Sequence, residues 1–111
     1  SGAFVFAAIF RGMLADALLH HDRAADALAA AADGLAHANR FGERMWEAEL
    51  HRLRAVALDR LGRGDEAVTA VEQAVAVARS QGAVLLVERA ERTALVLGVA
   101  QDDPDTTGVP T

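Results

Sequence analysis

Displaced by forty residues, the chain falls on itself. Phe6 lands on Trp46 and Trp46 on Leu86; Phe10 lands on Leu50, Met13 on Leu53 and Leu18 on Leu58. A second stretch keeps the register, with Ala27 on Ala67, Leu28 on Val68, Ala31 on Val71, Leu35 on Val75 and Ala38 on Ala78, and Gly42 on Gly82 closes it. A fixed period between about twenty and fifty residues is the mark of stacked units that each bury an apolar face against the next. Arrays of that kind present surface more often than they carry chemistry.

The apolar half of the chain is dominated by alanine, in runs such as Ala29-Ala30-Ala31-Ala32. Alanine is the best helix former and lets backbones approach closely, so close-packed helices are favoured over sheets. The prolines, Pro104 and Pro110, both fall after the periodic region, so nothing before residue 100 is forced out of helix. Cysteine is absent, which excludes disulfides and thiolate metal sites. The net charge is −5, but Asp102, Asp103 and Asp105 supply three of the sixteen acids; thirteen then stand against eleven arginines. A body so nearly balanced has no broad positive field for a phosphate backbone, and nucleic-acid binding is not expected. The apolar opening from Phe4 to Phe10 is too short to cross a membrane and lacks the basic residues of a signal peptide.

Five helices can be read, over about Phe4 to His21, Arg23 to Arg40, Glu43 to Leu61, Asp65 to Gln81 and Val84 to Ala100. In the third, Trp46, Leu50, Leu53, Ala57 and Leu61 recur at spacings of three and four, one apolar stripe of a helix. Gly42 and Gly82 follow helix ends, and Gly62 and Gly64 flank Arg63 in the turn before the fourth helix. Asp65 and Glu66 put negative charge where the dipole of that helix favours it, and Asp22 and Asp26 occupy the matching region one repeat earlier. Connections this short predict antiparallel neighbours. The expected organisation is a helical repeat domain over residues 3–100 and a flexible acidic tail over 101–111. Two hairpins and a lone fifth helix leave apolar stripes uncovered at the ends, to be covered by more repeats, a partner or a second copy.

The segment Leu61-Gly62-Arg63-Gly64-Asp65-Glu66-Ala67 resembles the glycine turn and second-helix start of a tetratricopeptide repeat. Ala67 and Ala74 stand at that family's small positions and Val71 at its large one. Ala55 and Leu58 match the first helix; Ala15, Leu18, Ala27, Ala31 and Gly34 hold the same places one unit earlier. Arg54 departs from the usual leucine and Arg79 from the usual closing proline. The unit is also longer than the family's 34-residue consensus by about six residues. Together with Glu49-Leu50-His51-Arg52-Leu53-Arg54-Ala55, these departures resemble the long repeats of large bacterial ATP-dependent regulators, the LuxR-type activators and the predicted ATPases linked to cyclases. The resemblance implies a right-handed solenoid of about two and a half repeats that binds a protein or peptide within a cytoplasmic signalling or transcriptional regulator.

The same resemblance implies that the first helix of each pair lines a concave face. Its outward residues are then Asp16 and His20 in the first unit; Glu49, Arg52, Asp59 and Arg60 in the second; and Arg89, Arg92 and Val96 in the third. Arg52, Arg89 and Arg92 would form a guanidinium cluster able to hold carboxylates of a peptide. The plainer alternative is a solvated face with local pairs, such as Glu88 with Arg92. The asparagines of a carboxylate clamp are missing, because Val56 stands at the expected place. The end helices offer Phe4, Phe6, Phe10, Leu85, Val96 and Val99 for association.

Asp16 with His20, and Asp33 with His37, have one-turn spacing, but two ligands fall short of the three or four that zinc needs. Serine occurs only at Ser1 and Ser80, and no glycine-rich phosphate loop follows a strand. Gly34 sits mid-helix, which suits close packing better than catalysis, and Trp46 reads as core. The expectation is an all-α array of helical hairpins with no enzymatic activity and no cofactor or metal. Its partner is a protein, a peptide or a second copy, with neither nucleic acid nor membrane engaged. The alternatives are a stand-alone helical homodimer and a small-molecule sensor with an apolar pocket between units.

Overall fold

The structure, a computed structural model, describes residues 7–41 and 44–98. They form α1 (Ala7–His20), α2 (Ala24–Phe41), a 3-10 turn (Arg44–Trp46), α3 (Glu47–Arg60), α4 (Gly64–Ser80) and α5 (Val84–Leu97). Among the described residues there is no strand. The third helix begins later than its apolar stripe suggests, because Arg44–Trp46 first winds as the tighter 3-10 turn. Phe4, Phe6, Val99 and the acidic tail over 101–111 lie outside the described residues.

Three of the helix ends are built alike. The amides of Arg23, Arg63 and Ala83 reach back to the carbonyls of Leu18, Leu58 and Ala78, while those of Asp22, Gly62 and Gly82 bond Leu19, Asp59 and Arg79. This paired pattern requires a left-handed residue just past the helix. Gly62 and Gly82 supply it at φ +78° and +66°, and Asp22 is driven to φ +59°. Asp22 is therefore the terminator of α1, whereas Asp26 does lie in the first turn of α2. The helix starts echo as well: Arg23 pairs with Asp26 at 2.7 Å, and forty residues on Arg63 pairs with Glu66 at 2.6 Å.

Packing follows chain order. Helix α1 packs on α2, α2 on α3, α3 on α4 and α4 on α5, while α3 also touches both α1 and α5. Burial repeats with the sequence: from Ala27 to Arg40 and from Ala67 to Ser80, buried, half-buried and exposed positions agree residue for residue apart from the amino acids themselves. Ala15, Leu19, Ala27, Ala31, Leu53 and Ala57 form one core where α1, α2 and α3 meet. Ala55, Leu58, Ala67, Ala70, Val71 and Ala94 form the next, where α3, α4 and α5 meet. Leu50, Leu58 and Val71 are the largest side chains fully removed from water, each contributing about 1.5–3 kcal/mol of transfer free energy.

Small residues set the spacing. A Cβ on Gly34 would stand 2.8 Å from Leu50 Cδ2 and 3.0 Å from Arg11 Cβ, so α1, α2 and α3 converge there. One unit on, the corresponding pair is Ala74 and Ala90, both buried, so the small and large partners have traded volume. Polar ties join the units: Arg60 Nη1 donates to the Leu19 carbonyl at 2.5 Å, and Gln81 Nε2 donates to the Arg44 carbonyl at 2.7 Å. Arg11 pairs with Asp33 and Arg79 with Glu91.

Candidate functional site

Helix α3 touches both α1 and α5, and residues forty apart in the sequence can be set in rows across the three helices. One row is Ile9, Glu49 and Arg89; a second is Gly12, Arg52 and Arg92; a third is Met13, Leu53 and Thr93. A cleft of about 330 Å³ takes in the whole first row, but only Gly12 of the second and Met13 and Leu53 of the third. Its α1 wall is Ala8, Ile9, Gly12, Met13 and Asp16; its middle is Trp46, Glu49, Leu50 and Leu53; its α5 wall is Leu86 and Arg89. Trp46 and Leu86 also border a second hollow with Met45, Gln81 and Ala83. The tryptophan packs against the core of Ala8, Ala38 and Leu50 and keeps a half-buried edge in the cleft.

One carboxylate organises the polar end. Arg52 donates twice to Glu49, from Nε to Oε1 at 3.0 Å and from Nη2 to Oε2 at 2.7 Å. Its remaining arm reaches Thr93 Oγ1 at 3.4 Å, and that hydroxyl donates to the Arg89 carbonyl at 3.1 Å. Arg89 Nε lies 3.2 Å from Glu49 Oε2, an ion pair between α5 and α3. Bidentate and charge-assisted contacts are the strong members of the hydrogen-bond range. The Arg52 side chain is only 12% exposed, so it is spent within the fold; that of Arg89 is 55% exposed and most of its donors face water.

The expected guanidinium cluster thus forms in part, around a carboxylate of the chain itself. Arg52 and Arg89 meet on Glu49, while Arg92 is exposed and, among the described residues, makes no ion pair. Glu88 and Arg92 do not pair either. Asp16 lies on the α1 wall, with its carboxylate 3.9 Å from His20 Nδ1, and that nitrogen bonds the Asp16 carbonyl at 2.8 Å. Asp59 is exposed and outside the cleft lining, and Arg60 is held on the end of α1. Val96, Leu85 and Phe10 are exposed at 80%, 78% and 59%.

Away from the cleft, the Arg11 guanidinium holds the Asp33 carboxyl below its ordinary value, and desolvation pushes the half-buried His51 ring down. Among the described residues no group of three or more His, Asp or Glu side chains gathers where an ion could be held. No described helix is long and apolar enough to cross a membrane.

Sequence reasoning missed the apolar floor. Nothing local marks Ile9, Met13 and Leu86 as its lining, and Leu50, Leu53 and Trp46 read as core. Stepping back by forty from Arg89 and Glu49 reaches Ile9, and that row is the signal that could have found it. Comparison with protein families, with curated proteins and with solved structures finds no match for this chain.

Proposed function

We infer that this chain is a protein-binding helical-repeat module that takes a peptide segment in the cleft across α1, α3 and α5. The observation that carries the reading is the cleft itself: an apolar floor with a small set of fixed polar groups, within the usual range of ligand sites. Repetition of burial forty residues apart supports a stack of tetratricopeptide-like units, two and a half in number, winding as a right-handed solenoid. The setting of such a module, by resemblance, is a bacterial signalling or transcriptional regulator in the cytoplasm. Trp46 is the chain's only tryptophan and lines the cleft, so its emission reports on occupancy. Peptides selected from a random library on the full chain are expected to shift that emission and to lose binding in Met13→Glu, an exposed cleft position. Selected peptides that leave Trp46 and the Met13 variant indifferent would remove the reading.

A second reading has its own observation. Val84, Leu85, Leu95 and Val96 on α5 are all more than half exposed, a patch suited to a second copy. Light scattering across a concentration series separates the two, since a monomer at high concentration argues against self-association.

A further inference from the structure

Helix α5 packs against α4 and α3 and leaves one face open. Val84, Leu85, Glu88, Arg92, Leu95 and Val96 are all exposed on it. At 3.6 residues per turn they fall within an arc of about 120°. The cleft lies on another side of the helix, where Arg89 is turned toward Glu49 of α3. Read inward from its two ends, the open face has one apolar order and opposite charges. Val84 and Val96, Leu85 and Leu95, and Glu88 and Arg92 each stand equally far from Ala90. The other charges of α5 are taken within the chain, Arg89 by Glu49 and Glu91 by Arg79. Glu88 and Arg92 are exposed and make no ion pair among the described residues.

The forty-residue echo argues against one more helix of the same kind on this face. Glu88 and Leu95 stand where the preceding copies have Ala48 and Ala55, and before them Ala8 and Ala15, all four buried. Ala15 packs with Ala27 and Ala31, and Ala55 with Ala67 and Val71. A helix arriving on α5 in that manner would press on a carboxylate and a leucine where the earlier ones meet methyl groups. It would also bury the Glu88 charge without a partner, which is costly.

We propose that two copies of this chain associate through α5, antiparallel, about a two-fold axis at the level of Ala90. This rests on the self-association reading and gives it a geometry. Such an interface is isologous, so every contact occurs twice. At each end Leu95 and Val96 of one copy meet Val84 and Leu85 of the other, and between the ends Glu88 faces Arg92 twice. The apolar ends exclude water and the central pairs set direction. A parallel arrangement would place Glu88 on Glu88 and Arg92 on Arg92, and like charges opposed in this way reject the wrong partner. The contact is one helix long, about 21 Å. That is the small end of specific interfaces, so the dimer is weak and monomers prevail in dilute solution.

Sedimentation equilibrium of the full chain, up to about 0.5 mM, should show a reversible monomer–dimer equilibrium. Glu88→Arg and Arg92→Glu each set like charges opposite one another in both central pairs, and each should weaken the dimer at least about tenfold. Mixed in equal amounts, the two variants should pair with each other, because every central contact then joins opposite charges. That recovery separates a lost interface from a damaged fold. Direction is read by cross-linking, since the chain has no cysteine of its own. Leu85→Cys mixed with Val96→Cys should form a disulfide under mild oxidation faster than either variant alone. A chain that stays monomeric throughout removes the self-association reading and this proposal together. A dimer indifferent to both charge variants would overturn this proposal and leave self-association standing through another face. Charge variants that fail to recover on mixing, or cross-linking as fast within one cysteine variant as between the two, would overturn it as well.

Discussion

Helices α3 and α5 are the same length, fourteen residues each, and lie close to forty residues apart in the sequence echo. Seven residues of α3 are buried, and only Ala90, Thr93 and Ala94 of α5. Composition points the other way: α3 carries Glu47, Glu49, His51, Arg52, Arg54, Asp59 and Arg60, while α5 opens with Val84-Leu85-Leu86-Val87. The number of neighbouring helices, not apolar content, decides what is covered. Helix α3 has neighbours from both flanking units, whereas α5 has them on one side. The third copy of a small position makes the point. Ala15 and Ala55 are fully buried, but their counterpart Leu95 is 55% exposed.

The largest test of that contrast is truncation of a leucine on each helix. Leu58→Ala removes a fully buried side chain between α3 and α4, and denaturant unfolding should show a loss of about 2–5 kcal/mol. Leu95→Ala should move stability by about 0.5 kcal/mol or less, as surface substitutions do. A larger loss that grows with protein concentration would show that a second copy covers α5, and the contrast would then belong to the monomer alone.

Gly34 and Gly12 sharpen the same contrast inside the enclosed part, since both face Leu50 of α3. A methyl group at Gly34 meets Leu50 Cδ2 and the Arg11 Cβ too closely, and the Arg11 Cβ is fixed to the backbone of α1 and cannot swing aside. Gly34→Ala should cost about 1–3 kcal/mol, the usual penalty of overpacking. At Gly12 the nearest atom is 3.4 Å from the new Cβ, an ordinary contact. Gly12→Ala should therefore stabilise by about 0.5–1 kcal/mol through helix propensity. Equal effects in thermal melts would mean that α2 does not approach α3 as closely as the structure has it.

Much of this was legible in advance, for a physical reason. Each unit must bury the same face, so the alanines at 27, 31, 38, 67, 74 and 78 write the period directly into the sequence, and all six are buried. The mid-helix Gly34 was readable as a close approach because glycine in a helix is otherwise unfavourable. The cleft was only half legible. An apolar stripe marks Leu50, Leu53 and Trp46 as covered but does not say which edge remains open to a groove. The pairing of Glu49 with Arg52 and Arg89 joins a local contact to one forty residues away, and charge alone cannot distinguish it from three solvated side chains. Asp22 hid for a different reason: its role is shared with Gly62 and Gly82, but its residue type suggests a helix start.

The turns allow a smaller test. Gly62 ends α3 in the left-handed region, so Gly62→Ala should cost about 1–2 kcal/mol. Asp22 holds the same conformation with a side chain, and Asp22→Gly should return up to about 1 kcal/mol. Gly98 ends α5 at φ +87°, but α5 is covered on one side only. Gly98→Ala should therefore speed hydrogen exchange in α5 while leaving the α3 amides protected. Equal loss of protection in both helices would show that they open as one unit.

The weakest effect is the most specific to α3. Forty residues apart, Arg11, His51 and Glu91 share a row; Arg11 pairs with Asp33 and Glu91 with Arg79, whereas the His51 Nδ1 is buried without a hydrogen-bond partner. Desolvation lowers the His51 pKa from its ordinary 6.5, against a smaller opposing pull from Glu47. The unfolded chain then takes up a proton before the folded one, so the contribution of His51 is complete above about pH 6.5 and is lost as pH falls toward the folded value. Asp33 and Glu66, whose carboxyls are lowered by Arg11 and Arg63, carry stability that is present above their ordinary values of 3.8 and 4.5 and is lost in more acid solution. Stability should therefore decline in two stages on acidification, and His51→Gln should flatten the first while sparing the second. A first stage unchanged in that variant would place the titrating group elsewhere than in α3.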